Sequence, residues 1–234
     1  LVRSIDTSQA ERMPGVAVVL TARDLKGTNR FGIIRHDQPA FAEEKVRFIG
    51  DMVAAVFAET EAQAAAAVAA IRVDYEPLPG VFSPEEAAAP DAPKVHEGGN
   101  LLHHTVLRRG DVERGFAEAD VVIEGEYHTQ MVEHAFLEPE AGLAEMIGDQ
   151  ITLYIGTQIP FGDRALVAKV LGLPEERIRI VALPMGGAFG AKEDLILHVA
   201  LCLGAWKTGR PVKIVLSRQE SMRAHPKRHP YWLH

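Results

Sequence analysis

Cysteine is nearly absent: Cys202 is the only one in 234 residues. A single thiol excludes an internal disulfide. It also excludes an iron–sulfur cluster held by this chain alone, because such clusters take about four cysteine thiolates. Long apolar runs are missing as well. Runs such as residues 53–57 and 199–203 fall far short of the roughly 20 residues a membrane-spanning helix needs. Positive charge is in deficit: the formal net charge is -7, so there is no basic footprint for nucleic acid. Residues 1–6 do not read as a secretory or twin-arginine leader, and a cytoplasmic location is the expectation. No internal repeat is visible. What remains is ordinary globular composition, 47% hydrophobic and 24% charged, in a chain long enough for two modest cores.

The pattern along the chain predicts α/β and α+β organisation. In the first section, residues 1–82, a β-rich run at 15–20 leads into a helix start at 21–24. Strands are expected at 44–49 and 52–58, joined by the turn dipeptide Gly50-Asp51. Thr60 and Gln63 stand at capping-box spacing before an alanine-rich helix over 61–70. A strand at 71–75 then closes at Pro77 and Pro79. Residues 83–100 read as a linker, rich in proline and ending at Gly98-Gly99-Asn100, with one helical turn at 84–89. In the second section, 101–234, strands are expected at 120–127, 150–155, 177–183 and 211–217. Helices are expected at 160–171, stopped by Gly172, and from a cap at Asp194 to about Lys207. Two separately packed units follow from this division.

Three segments could carry chemistry. Gly186-Gly187-Ala188-Phe189-Gly190-Ala191-Lys192-Glu193 follows a strand and precedes a helix, so backbone N–H groups can approach an anion or a bulky cofactor. It is not a phosphate-binding P-loop, which needs glycine before the lysine and serine or threonine after it; here Ala191 and Glu193 stand there. Nor is there a G-x-G-x-x-G fingerprint. A plain tight turn is the competing reading. Gly156-Thr157-Gln158 places an uncharged amide at a strand's C-terminal end. Glu133-His134…Glu138-Pro139-Glu140 gathers three carboxylates and a histidine, suggesting a metal or acid/base pair against the blander reading of solvated charge. His225 and His229 have i,i+4 spacing, but Pro226 and Pro230 interrupt any helix, so no metal site is expected there.

Together these motifs resemble the molybdopterin-binding large subunit of the xanthine dehydrogenase/aldehyde oxidoreductase family. The resemblance rests on Gly156-Thr157-Gln158, Glu133-His134…Glu138-Pro139, residues 185–193 and Arg228-His229-Pro230, in order and spacing. The opening section is similar to that family's hammerhead domain through Ser4-Ile5-Asp6, Pro14-Gly15-Val16, Leu20-Thr21, residues 46–51 and residues 73–79. The resemblance implies a hammerhead-like α/β domain followed by the first part of a molybdenum-cofactor-binding domain. It implies that Gln158 hydrogen-bonds an oxo ligand of molybdenum, that Gly187, Phe189 and Gly190 line the cofactor, and that Glu193 orients the substrate. His134 and Glu138-Pro139 are supports near the cofactor, and no residue here is a direct metal ligand. The family's catalytic base sits in a Gly-x-Gly-Glu motif that this sequence does not contain. The chain is therefore expected to be inactive alone, and to need the remaining half of the large subunit, an FAD-binding subunit and an iron–sulfur ([2Fe-2S]) subunit. Glu193 implies a purine or related N-heterocycle as substrate. The alternatives are an aldehyde or carbon monoxide oxidoreductase, or a non-catalytic assembly module.

Overall fold

The computed structural model describes residues 1–234, which divide into two compact units. The first joins residues 1–76 with 133–227; the second joins 77–132 with 228–234. No helix is long and apolar enough to cross a membrane.

The larger unit begins with β1 (Val2–Asp6), α1 (Ser8–Glu11), β2 (Val16–Leu20), β3 (Ala55–Ala58), α2 (Glu61–Ala70) and β4 (Arg72–Tyr75). β1 pairs antiparallel with β4, and β2 with β3. Thr60 Oγ1 caps α2 by accepting from the Gln63 N–H, as the spacing predicts. The unit continues with β5 (Ala141–Ile147), β6 (Gln150–Ile155), α3 (Pro160–Leu171), β7 (Ile178–Ala182), α4 (His198–Thr208), β8 (Val212–Val215) and α5 (Arg218–Ala224). These strands form one mixed sheet in the order β7-β6-β5-β8, where only β6 and β7 run parallel. α3 starts on Pro160, whose missing N–H costs nothing at a first helical position. It stops at Gly172, which takes the left-handed conformation (φ 68°) that glycine adopts without steric cost.

A main core runs through the larger unit, beside a small one of Ala10, Val19 and Ala67. Leu20, Phe31, Phe41 and Phe57 from the opening section pack in the same cluster as Leu153, Val167, Leu171 and Leu201. The Phe57 ring lies 2.5 Å from where a Cβ on Gly204 would sit, so only glycine lets α4 approach that closely. Packing therefore reaches from residues before 83–100 to residues after it within the larger unit. Apolar residues on both sides of that stretch complete each other's burial.

Other differences have local causes. Residues 44–49 form no strand, because the Asp51 carboxylate takes the Arg47 and Phe48 N–H groups and curls the segment into a turn. Residues 120–126 also stay out of any sheet; only Tyr127–His128 pair, with Trp232–Leu233, inside the smaller unit. β5, unexpected from sequence, lies at the sheet's interior between β6 and β8. Its Ala, Leu, Glu and Met are helix formers, and two flanking ladders override that preference. α4 begins at His198, not at Asp194, because Asp194 to Leu197 fold as a turn closed by Ile196 N–H to Asp194 O (3.0 Å). The partial positive charge of the helix start thus falls several residues beyond the glycine-rich loop.

Candidate functional site

β6 and β7 are parallel neighbours in register, Ile155 opposite Ala182, so the segments leaving their C-terminal ends emerge side by side. Ligands of α/β sheets collect at such ends. From β6 emerges Gly156-Thr157-Gln158, and from β7 the loop 183–193; the Leu183 N–H to Ile155 O bond (3.0 Å) ties the two exits together. Gln158 then reaches the loop directly. Its Oε1 accepts from the Gly190 N–H at 3.0 Å, and its Nε2 donates to Glu193 Oε1 at 3.2 Å. The Gln158 N–H also binds the Lys192 carbonyl (3.1 Å). Gln158, Gly190 and Glu193, singled out separately from sequence, form one hydrogen-bonded chain.

The loop turns sharply. Gly187 (φ 101°) and Gly190 (φ 94°) occupy backbone conformations that other residues resist, and Phe189 shares one (φ 55°) while its ring is 73% exposed. A left-handed non-glycine residue at a loop apex marks a backbone held by its surroundings. Nothing lies within 4 Å of a Cβ built on Gly190, so open space adjoins it. The N–H groups of Gly187, Ala188 and Phe189 enter no hydrogen bond of the chain, leaving three consecutive donors for a ligand.

Two sets of polar groups prop this site, and sequence reading missed their buried members Asp163, His198 and Lys192. In the first, Thr157 Oγ1 donates to the Asp163 carboxylate and accepts from the Ile159 N–H, fixing the turn that carries Gln158. His198 Nε2 approaches the same Asp163 oxygen at 3.3 Å, outside hydrogen-bond alignment. Asp163 sits in the first turn of α3 with no exposure at all. The signal available was a carboxylate among apolar residues of that helix. In the second, Lys192, 4% exposed, donates to the Glu138 carbonyl (2.9 Å) and lies 4.6 Å above the Phe136 ring. Glu138 Oε2 accepts the Gly186 N–H at 2.5 Å, so the support role expected for Glu138 has a specific contact. In sequence Lys192 reads only as the lysine of a failed phosphate-loop pattern, which conceals its part as a clamp.

Electrostatics agree with burial. Burial raises the Asp194 carboxyl above its usual range, and the neighbouring charges of Glu193 and Asp163 push it the same way. Burial also drives the Cys202 thiol far up, which makes it an inert core residue. Between Glu138, Glu140, Lys192, Asp194 and His198 lies a cavity of about 10 Å³, room for a single water. The larger concavity, about 300 Å³ beside Phe161, Arg164 and Arg179, contains none of the site residues. Leu183 to Gly186 and Phe189 are exposed, so the loop faces outward, as one open wall.

Two family models match the chain. Residues 95–234 match the molybdopterin cofactor-binding domain, and residues 1–79 match the aldehyde oxidase and xanthine dehydrogenase a/b hammerhead domain. A probable xanthine dehydrogenase subunit of Bacillus subtilis is 46% identical over 97% of the chain and 31% of the relative. The nicotinate dehydrogenase large molybdopterin subunit of Eubacterium barkeri is 39% identical over 99% of the chain and 55% of the relative. The aldehyde oxidoreductase of Desulfovibrio gigas superposes with a TM-score of 0.91 at 34% identity, covering 98% of this chain and 27% of that one. The chain thus spans about a third to a half of the length of these two curated relatives.

Proposed function

The chain belongs to the xanthine dehydrogenase and aldehyde oxidoreductase family, and from that premise we propose that it forms one wall of a molybdenum site oxidising a purine or related N-heterocycle. The observation that carries this reading is the Gln158 amide, bonded at once to the Gly190 N–H and the Glu193 carboxylate. The residues fit the cofactor: three unpartnered N–H donors in a glycine-rich turn suit a group bearing oxygens and negative charge. Gln158, Gly187, Phe189 and Gly190 would hold it. When bound, the molybdenum cofactor supplies the redox chemistry.

Glu193 would orient the substrate. An ionised carboxylate only accepts hydrogen bonds, which suits a heterocycle carrying N–H groups better than an aldehyde, which has none to offer. Gln158 keeps one Glu193 oxygen directed by its Nε2. The catalytic base would come from the remaining half of the large subunit. Electrons would leave through [2Fe-2S] and FAD centres on separate subunits, in keeping with the single buried cysteine here. The stretch 80–94, between the two matched regions, supports placing the linker at 83–100 between a hammerhead domain (1–82) and the cofactor domain (101–234).

Glu193→Gln in the complete enzyme tests the substrate. Heterocycle turnover should fall about 10²–10³-fold, as for loss of one charge-stabilising group, while aldehyde turnover is spared. Equal losses on both would show Glu193 to be structural and overturn the heterocycle assignment, leaving the aldehyde reading, to which the Desulfovibrio gigas enzyme's fold is equally suited. The chain expressed alone should carry no molybdenum by elemental analysis, and should gain it when the rest of the large subunit is co-expressed.

A further inference from the structure

Beneath the glycine-rich loop one imidazole meets two carboxylates. His225, the residue that ends α5, is 1% exposed. Its Nε2 lies 2.6 Å from Glu133 Oε1 and its Nδ1 lies 3.0 Å from Glu140 Oε1. A neutral imidazole has one ring proton, so it can face only one of these oxygens as a donor. The other nitrogen would then turn a lone pair onto a carboxylate, and Glu140 is only 6% exposed. Neither Glu140 oxygen has a well-aligned hydrogen bond, and its one ion-pair contact is with His225. An unpaired buried carboxylate is strongly destabilising, and the His225 ring is the side chain placed beside Glu140, its Nδ1 close but outside hydrogen-bond alignment.

A metal ion fits worse. Glu133, His134 and His225 do bring ligand atoms within 4.8 Å of one another. Yet Lys227 Nζ already stands 3.0 Å from Glu133 Oε2, and Lys192 and Arg218 both flank the adjoining Phe136 ring. Cations of the chain itself occupy the ground a metal would need. Burial alone would raise the Glu133 carboxyl, but hydrogen bonds from Lys227, the Ala135 N–H and His225 outweigh it and bring the group down to about 2.

The two carboxylates are the ends of one segment, 133–140, and its middle carries the loop. Ala135 is held left-handed (φ 50°) with its N–H on Glu133 Oε1 at 3.2 Å. Phe136 packs against the His225 ring, centroids 4.9 Å apart. Gly187 rests on Phe136 so closely that an added Cβ would stand 3.0 Å from the Phe136 Cβ. Glu138 takes the Gly186 N–H. From these contacts we infer that His225, bonded to Glu133 and set against the buried Glu140, is the positioning residue that sets the glycine-rich loop. Its effect on cofactor retention rests on the function proposed above; its effect on the loop does not.

Hydrogen exchange on the full-length protein tests this without any cofactor. In His225→Gln, two carboxylates face a neutral amide, and the Gly186 and Gly190 amides should exchange at least about tenfold faster, while amides within α4 keep their protection. His225→Gln with Glu140→Gln removes the uncompensated charge and should restore most of the loop's protection. Unchanged loop exchange in the single variant, or a double variant as fast as the single one, overturns the proposal. Should the single variant fail to fold, Glu140→Gln alone decides: it takes the buried carboxylate from beside His225, and unchanged exchange of the Gly186 and Gly190 amides overturns the assignment. A protein that never binds molybdenum but passes these tests would sink the proposed function and leave His225's role standing.

Discussion

Residues 150–215 and residues 100–132 both carry many apolar side chains, and they treat them in opposite ways. In the first stretch Leu153, Val167, Leu171 and Leu201 are fully buried. In the second Leu101, Leu102, Leu107, Val121 and Ile123 are each more than half exposed, and none belongs to a hydrophobic cluster. Each unit is consistent within itself. The larger has a four-stranded sheet whose ladders leave α4 an apolar surface to cover; the smaller has a two-residue pairing and short helices at Pro84–Ala88 and Val112–Glu118. Burial follows from the presence of a sheet, since apolar residues without a partnered face have nothing to pack on.

The largest test of that contrast is a pair of truncations. Leu201→Ala should cost about 2–5 kcal/mol of unfolding free energy, because it empties space between α4 and the sheet. Leu107→Ala, at a side chain 93% exposed, should stay within about 0.5 kcal/mol. Urea denaturation of both variants gives the answer, and comparable losses would break the contrast.

Acid should expose a smaller difference inside the larger unit. Glu133 sits near 2 when folded, below its ordinary 4.5, so it stabilises the fold above about pH 4.5. That contribution fades as the pH falls from 4.5 toward 2. The acid limb of unfolding should therefore be shallower in Glu133→Gln than in the unsubstituted protein, and identical limbs would deny Glu133 its ionic partners. The smallest expected effect is a cut. Limited proteolysis should open the chain first within 83–100, with little change in the melting of the core; a first cut inside β5 to β8 would reverse the ranking of the two units.

The alternating segment 150–155 and the alternating segment 120–127 look alike as strands in the sequence. The first found β5 and β7 beside it, while all but the last residue of the second found no partner. Alternation states which side chains could share a face; a neighbouring ladder decides whether the face exists. The candidate site was legible in part. Gln158, Gly190 and Glu193 were visible because glycine spacing and a polar residue at a strand end are local features. Lys192, Asp163 and His198 were not, because burial of a charged side chain cannot be read from its neighbours in sequence.

By itself the sequence determined the bounds of α3, where Pro160 and Gly172 act through their own backbone preferences, and the cap of α2 at Thr60. It determined the glycine-rich turn for the same reason: positive φ at Gly187 and Gly190 is a property of residues without a Cβ. Only the tertiary structure placed helix-forming Ala141–Ile147 in the middle of a sheet, delayed α4 to His198, and enclosed His225 between Glu133 and Glu140, 92 and 85 residues away along the chain. Those outcomes depend on partners contributed by distant segments, and the free energy that selects them appears only once the segments have met.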